Sequence, residues 1–472
     1  MWQRVVKNTF WLTVGEVGGR FLRIILVLYS ARVLGAADWG IFSYLLGLAA
    51  LFTVVADIGL GAVLTRELVR NENQESRYLS TAFIIKIVLL ALAGLLIVFG
   101  VPLITNISLS LTLLLATALL VISDNLRLFA TSVYRAMEKM HLEALVNIVT
   151  QIALVSLGAW ALYQTGRLEN LAMAYVSGSI IGTLLSFWIV RRHLGEIVLI
   201  FDRELIKKML SAAWPFALLG LLGGIMLNID IIMLGWLRTP AEIGYYSSAQ
   251  KIIFTLYVLP ALIGAAVFPS LTRMANKDQA AFRDLLERAL KLVFMVAFPI
   301  MIGGIVLSHD LIGIFYGRQY LPAITAFRIL LVSLLINYPA TIIGNALFAY
   351  DKQKEFIKFS IIGAGSDIVF NALLIPVWGI EGAAISTVFT QIISNAFIWR
   401  KMKQVNAFSI VGKLPKIAAV SLVMGLIVFG LALLNVNFFV SLGAAIIIYF
   451  GGLALVREPA VIELKNLIKE RR

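Results

Sequence analysis

The feature that most constrains this chain is a series of fourteen apolar segments, each long enough to cross a lipid bilayer. A membrane-spanning helix needs about 20 apolar residues. The predicted spans cover residues 8–33, 38–64, 78–101, 109–134, 142–164, 170–190, 212–236, 243–269, 284–307, 323–349, 356–376, 380–399, 411–434 and 437–456. The composition agrees, because 60% of the residues are hydrophobic, 14% are charged and the mean hydropathy is +0.93. We therefore predict an all-α integral membrane protein.

The distribution of positive charge predicts the topology. With the N-terminus in the cytoplasm, the cytoplasmic segments hold 29 of the 40 Lys and Arg residues, and the external loops hold only Arg167, Arg238 and Arg318. Basic residues are enriched on the cytoplasmic side of membrane proteins. This bias supports an even number of spans, with both termini in the cytoplasm, and predicts a multi-pass protein of the cytoplasmic membrane. It also explains the net charge of +14 without nucleic acid as a partner.

A repeated pattern divides the chain into two halves. The segment Leu34–Arg70 contains Gly40-Ile-Phe-Ser, and a looser copy about two hundred residues later contains Gly244-Tyr-Tyr-Ser. Both copies begin on the same side of the membrane, so the repeat is parallel, as in many transporters. We predict a six-helix bundle over 1–193, an amphipathic cytoplasmic linker over 194–211, and a second six-helix bundle over 212–403. Residues 404–472 would form spans 13 and 14 and a basic cytoplasmic tail.

Ionisable residues inside the predicted spans indicate a polar interior. Each costs about 2.5–3.5 kcal/mol at the centre of a lipid-exposed helix, so most must face one another or a hydrated cavity. Twelve of these residues are Arg20, Arg23, Lys86, Arg127, Lys251, Lys291, Arg328, Glu16, Asp57, Asp124, Asp230 and Asp367. The basic excess suits an anion, above all a phosphate, because Arg offers a planar donor fork and Lys a point charge. A pump for cationic drugs would favour the opposite sign.

Ion pairing is the alternative to ligand binding for these charges. Glu16 and Arg20 are four residues apart, and Asp124 and Arg127 are three apart, which are spacings for pairs on one helix face. Among these twelve residues, four basic ones have no acidic neighbour on their own helix, namely Lys86, Lys251, Lys291 and Arg328. Of these, Lys291 and Arg328 could extend to a membrane surface. The charge of Lys251 is the hardest to explain by structure alone.

Three aspartates could serve either in pairing or in ion coupling. Asp57, Asp230 and Asp367 could each bind a coupling proton or Na⁺, or could pair with a basic side chain. Asp57 lies in Asp-Ile-Gly-Leu-Gly, where glycines permit a kink, and for it we favour pairing. Close helix packing is predicted at Gly15-x-x-x-Gly19, Gly178-x-x-x-Gly182 and Gly220-x-x-x-Gly224.

Motifs for several enzyme classes are absent from the sequence. There is no G-x-x-x-x-G-K-[ST] motif for nucleotide hydrolysis, no cysteine, and only three dispersed histidines. We therefore predict no catalytic residues, no metal site, no cofactor and no enzymatic activity. A membrane-embedded glycan polymerase or transferase is disfavoured because the predicted external loops are short.

The whole chain resembles the MOP superfamily of multidrug, oligosaccharidyl-lipid and polysaccharide exporters. Within it, the chain is similar to the polysaccharide transporter family of Wzx-type flippases. The resemblance rests on Leu-Gly-Ala-Ala-Asp-Trp-Gly-Ile-Phe-Ser from Leu34, on Asp-Ile-Gly-Leu-Gly from Asp57, and on Asn-Ile-Asp-Ile-Ile-Met-Leu-Gly from Asn228. It implies two six-helix bundles in a V, with two further C-terminal helices and a central cationic cavity that alternates in access.

The resemblance also implies a function and partners. Such proteins move a polyprenyl-phosphate- or pyrophosphate-linked oligosaccharide to the outer leaflet in polysaccharide biosynthesis. The implied partners are that substrate, membrane lipid, H⁺ or Na⁺, and glycan polymerases or glycosyltransferases of the pathway. The cationic role would be carried by Arg20, Arg23, Lys86, Arg127 and Lys251. The alternative is a MATE-like ion-coupled small-molecule antiporter with the same fold.

Overall fold

The computed structural model describes residues 2–71, 74–194 and 201–458, which are helices joined by short turns. Two compact units are present, Met1–Gly244 and Tyr245–Arg472. The helices are α1 (Trp2–Asp57), α2 (Leu60–Arg70), α3 (Glu75–Leu95), α4 (Val101–Ile104), α5 (Leu111–Ala136), α6 (Met140–Thr165), α7 (Leu168–Leu194), α8 (Arg203–Leu237), α9 (Pro240–Leu256), α10 (Val258–Met274), α11 (Gln279–Val306), α12 (Ser308–Tyr316), α13 (Ile324–Val332), α14 (Leu334–Ala349), α15 (Glu355–Val405), α16 (Pro415–Leu433) and α17 (Phe438–Leu455).

The helices long and apolar enough to cross a membrane number twelve in the described residues, against fourteen predicted spans. Two of them, Leu22–Arg70 and Glu355–Val405, have 49 and 51 residues, about twice what one crossing needs. The backbone leaves the helical conformation inside them at Gly35 (φ 77°) and Gly379 (φ 58°), a region that glycine enters without a Cβ clash. The difference in number therefore arises where two predicted spans meet at a glycine without an intervening loop.

The boundary between the compact units differs from the predicted boundary between the bundles. Helix α8, which contains the predicted seventh span, packs against α1 within the first unit. The predicted second bundle begins at residue 212, whereas the second unit begins at Tyr245. The division into 1–193, 194–211, 212–403 and 404–472 describes the sequence repeat and stays a prediction.

The segment 194–211 is predicted as an amphipathic helix on the inner leaflet. Its residues 203–211 form the start of α8. Asp202 caps this helix, because its Oδ1 accepts the Leu205 N–H at 3.0 Å, and Arg77 Nε donates to its Oδ2 at 2.6 Å. The hydrogen bond from Leu205 has the largest effect, and together with the one from Arg77 it holds the pKa of the Asp202 carboxyl below its usual range. Leu205 and Met209 are buried in a hydrophobic cluster with side chains of α2, α3 and α5. Leu205 and Met209 of the predicted lipid-facing side thus pack on protein, whereas Phe201 (71%) and Leu210 (37%) of the same side are exposed.

Glycines bring the helices of the first unit close together. A Cβ added at Gly182 would overlap Thr150 Oγ1, and one added at Gly19 would lie 3.0 Å from Gln151 Cγ. A Cβ at Gly224 would lie 3.1 Å from a side-chain carbon of α1. The predicted close packing is confirmed at these three glycines.

Gly40 and Gly244 occupy equivalent positions in the predicted repeat and contact each other's segments. A Cβ at Gly40 would overlap the carbonyl oxygen of Pro240 and lie 2.8 Å from the Gly244 nitrogen. A Cβ at Gly244 would overlap the carbonyl oxygen of Ala36. Because backbone atoms cannot swing aside as a long side chain can, both positions require glycine.

Gly40→Ala is therefore expected to destabilise the protein by about 1–3 kcal/mol, the usual cost of overpacking. The measurement is the melting temperature of the purified protein in detergent. Gly223→Ala is the control, because a Cβ there meets no heavy atom within 4 Å. It should leave the melting temperature unchanged or slightly higher, since Ala favours a helix over Gly. Equal losses in the two variants would contradict the packing argument.

The last two helices of the second unit pack together, and α16 also packs on α11. The Tyr449 hydroxyl donates to the Met295 carbonyl at 2.6 Å, and Lys413 Nζ lies 2.5 Å from Glu287 Oε2. Much of the remaining surface of these helices is apolar and exposed, as at Leu426. Helices α16 and α17, which correspond to the predicted spans 13 and 14, thus pack against α11 on one side and expose apolar side chains on the other.

Candidate substrate-binding site

One face of α6 holds two of the predicted cationic side chains. Arg23 on α1 donates from Nε to Gln151 Oε1 at 3.2 Å. Arg127 on α5 donates from Nη1 to Asn147 Oδ1 at 2.8 Å. Asn147 and Gln151 are four residues apart and therefore lie on adjacent turns of one helix face. The structure thus brings Arg23 and Arg127 to a single polar stripe on α6.

Arg127 is also part of an ion pair. Its Nη2 lies 3.0 Å from Asp124 Oδ1, and Ser179 Oγ donates to the same carboxylate oxygen at 2.6 Å. The Arg127 side chain is 13% exposed and that of Asp124 36%. The three-residue spacing therefore indicated a real contact, and Arg127 contributes its charge from a fixed position.

Arg23 has a different environment. Among the side chains that the structure describes it has no acidic partner, its one hydrogen bond uses Nε, and the residue is exposed. Both terminal nitrogens consequently remain available, and this end of a guanidinium matches two oxygens of a phosphate or carboxylate. The neighbouring predicted residues Glu16 and Arg20 have side chains outside the described part of α1, so their predicted pairing stays a prediction.

Lys86 lies in a separate, enclosed cluster. Its Nζ is 2.7 Å from Asp57 Oδ1 and 3.0 Å from Asn125 Oδ1. The Lys86 side chain is fully buried, whereas that of Asp57 is 26% exposed. Lys86, predicted to line the cationic cavity, is therefore a buried partner of Asp57, and the carboxylate is the accessible member of the pair.

A break in the helix adjoins this pair. α1 ends at Asp57 and α2 begins at Leu60, with Ile58 at φ 44° and Gly59 at φ 78°. A Cβ at Gly59 would lie 2.8 Å from the Ala213 carbonyl oxygen of α8, so close packing accompanies the break. The predicted kink is confirmed. Interrupted membrane helices expose backbone groups and commonly form polar sites in transporters.

The other acidic residues predicted for ion coupling are buried. Asp230 on α8 and Asp367 on α15 are each 3% exposed. Asp367 Oδ1 accepts from Asn371 Nδ2 at 3.2 Å, from Thr390 Oγ1 at 3.4 Å and from Ser386 Oγ at 3.5 Å. This cluster in the second unit contains one carboxylate, and no group of three or more His, Asp or Glu suited to a metal occurs among the described residues.

The remaining basic residues of the spans lie in the second unit. Lys251 is half-buried on α9. Lys291, predicted to extend to the inner surface, forms an ion pair with Glu458 near the end of α17. Arg328 Nε donates to Ser308 Oγ at 2.7 Å. Lys291 therefore helps to fasten the C-terminal helices to α11.

The uncharged partners of the charged groups were not predicted from the sequence. Asn125, Asn147 and Gln151 accept hydrogen bonds from cations and Ser179 donates one to Asp124, but none of the four is ionisable, so the charge pattern did not indicate them. A signal was present, because Asn147 and Gln151 are amides four residues apart within the apolar span 142–164.

The sequence matches the polysaccharide biosynthesis protein family over residues 5–275, and the MatE family over residues 215–373. It is 23% identical over 387 residues to the probable low-salt glycan biosynthesis flippase Agl15 of Haloferax volcanii, covering 81% of this chain and 80% of that protein. It is also 23% identical over 398 residues to a putative O-antigen transporter of Shigella flexneri, covering 81% and 94%.

The fold is similar to that of the lipid II flippase MurJ in an inward closed conformation. The TM-score is 0.79 over 95% of this chain and 99% of that chain, at 18% sequence identity. Because the family match covers more than half of the sequence, this multi-pass membrane protein belongs to the polysaccharide biosynthesis protein family.

Proposed function

We propose that this protein is a flippase, and not an enzyme, that moves a polyprenyl-phosphate- or pyrophosphate-linked oligosaccharide across the cytoplasmic membrane. The observation that carries the proposal is the open guanidinium end of Arg23, which is bound to the same face of α6 as Arg127 within membrane-spanning helices. The names of the relatives, a glycan biosynthesis flippase and an O-antigen transporter, support the same cargo. The product would serve cell-surface glycan synthesis.

The chemistry of such a cargo fits the site. A phosphate or pyrophosphate group must leave water to cross the membrane, and an arginine fork can replace its hydration by charge-assisted hydrogen bonds. The polyprenyl chain can stay in the bilayer while the head group moves through a polar path. Arg20 and Lys251 are proposed to add to the positive charge along that path, with both termini in the cytoplasm.

Ion coupling is a further part of the proposal. Asp367 is surrounded by hydroxyl and amide groups whose oxygens are the ligand type that hard cations such as Na⁺ prefer. Asp57 is a partly exposed carboxylate that could take up a proton, and Asp230 is a third candidate. Glycosyltransferases and a glycan polymerase would supply the substrate and consume the product.

A MATE-like antiporter is the second candidate function, favoured by the MatE match over residues 215–373. Since the described cations outnumber the acids around α6, its cargo would be a small organic anion. The two functions share a fold and differ in whether a lipid-anchored or a water-soluble molecule is moved.

The test is translocation in proteoliposomes loaded with a polyprenyl-pyrophosphate oligosaccharide and read by a leaflet-specific probe. The native chain should speed flipping over protein-free vesicles. Arg127→Ala and Lys251→Ala should each slow it by about tenfold, the effect of removing one charged contact, while eluting as folded protein. If the native chain moves no lipid-linked sugar but dissipates a gradient of a small anion, the antiporter is the function.

A further inference from the structure

We infer that Asn147 and Gln151, here called the amide pair, make the site selective for anions by binding its arginines through uncharged oxygens. The amide pair fixes the two guanidinium groups without adding a negative charge of its own, so that the charge of Arg23 stays available to a substrate. The inference rests on the proposed function and adds to it the residues that determine charge selectivity.

The guanidinium groups of Arg23 and Arg127 require hydrogen-bond acceptors. A guanidinium carries five N–H donors and no acceptor, and a donor left unbonded within a membrane span is costly. Gln151 is 7% exposed and accepts from Arg23 Nε at 3.2 Å, and Asn147 accepts from Arg127 Nη1 at 2.8 Å. The amide pair therefore supplies hydrogen-bond acceptors to the two arginines, a role that either amides or carboxylates could fill.

The charge of the acceptor decides how much positive charge remains on the arginines. A carboxylate at either position would satisfy the same donors but would also cancel a positive charge. Arg127 already has Asp124 as a counter-ion, whereas Arg23 has only a neutral acceptor among the described side chains. Counting described side chains only, the α6 stripe consequently has one more positive than negative charge, and that excess belongs to the exposed Arg23.

Close packing against α6 holds the amide pair in place. A Cβ added at Gly19 would lie 3.0 Å from Gln151 Cγ, so α1 closely covers this side chain. On the neighbouring side of α6, a Cβ at Gly182 would overlap Thr150 Oγ1. Contacts on both sides fix the rotation of α6 about its axis. The amide pair thus holds Arg23 by its Nε and leaves the two terminal nitrogens of this exposed residue without a hydrogen bond to any described side chain.

The experiment replaces each amide by the carboxylic acid of nearly the same shape. Binding of farnesyl pyrophosphate, a short polyprenyl pyrophosphate, is measured for the full-length protein in detergent. Gln151→Glu places a carboxylate beside Arg23 and should raise the Kd about tenfold or more. Asn147→Asp should weaken binding in the same direction. Gln151→Leu, which removes the acceptor but keeps the arginine charge, should have a smaller effect and retain the dependence of Kd on salt.

Gln164→Glu is the matched control, because it makes the same chemical change on an exposed position of α6. It should bind the probe as the native chain does, and all variants are checked for an unchanged melting temperature. Gln151→Glu that is stable and binds like the native chain would overturn the inference and leave the flippase proposal intact. A native chain that neither binds the probe nor moves a lipid-linked sugar would overturn both.

Discussion

Arg23→Ala is expected to lower the rate of oligosaccharide-lipid translocation by about tenfold to a hundredfold, because the variant loses the arginine whose terminal nitrogens are open at the α6 stripe. Hydrogen bonds to charged groups contribute about 1.5–3 kcal/mol each, and each 1.4 kcal/mol is a factor of ten. The measurement is the initial flipping rate in proteoliposomes at equal protein density. The effect should exceed that of Arg127→Ala, since Arg127 is largely enclosed and already paired with Asp124.

Two further variants separate charge from geometry at this position. Arg23→Lys keeps a point charge but loses the planar fork, so its rate should lie between those of the native chain and Arg23→Ala. Arg318→Ala removes an exposed arginine from a loop of the second unit and should leave the rate unchanged. If Arg23→Ala flips the substrate at the native rate, Arg23 does not bind it.

Lys86→Met is expected to cause the largest loss of stability among single substitutions at the charged residues of the first unit. Removing one partner of a buried ion pair typically costs about 3–5 kcal/mol. The value here should lie near the lower end, because Asp57 is 26% exposed and water can stabilise part of its charge. The measurement is thermal unfolding of purified protein in detergent at neutral pH.

The double variant Lys86→Met/Asp57→Asn tests whether the cost comes from the unpaired charge. It removes both charges, so it should recover most of the stability lost in Lys86→Met. A double variant that loses the sum of the two single effects would show that the residues act independently. Asn125 is left in place in all of these proteins, because it also binds the Lys86 ammonium group.

Much of the fold could be predicted because membrane helices satisfy their own backbone hydrogen bonds. The length of an apolar segment alone therefore identifies a membrane helix in the sequence. The glycines of Asp-Ile-Gly-Leu-Gly predicted the interruption after Asp57, since a turn needs a residue that tolerates positive φ, as Gly59 does. The sequence could not predict the burial of Leu205 and Met209, because an amphipathic face packs equally well on lipid head groups or on a neighbouring helix.

The sequence by itself determined that charges must lie in the membrane-spanning helices, that basic residues outnumber acidic ones there, and that an anion is the suited cargo. Only the tertiary structure decided which charges pair. Lys86 meets Asp57 on another helix, and Arg23 meets an amide 128 positions away. Those partners depend on the rotation of each helix about its own axis. Contacts between helices set that rotation, as at Gly19 and Gly182, and the local pattern of apolar residues does not.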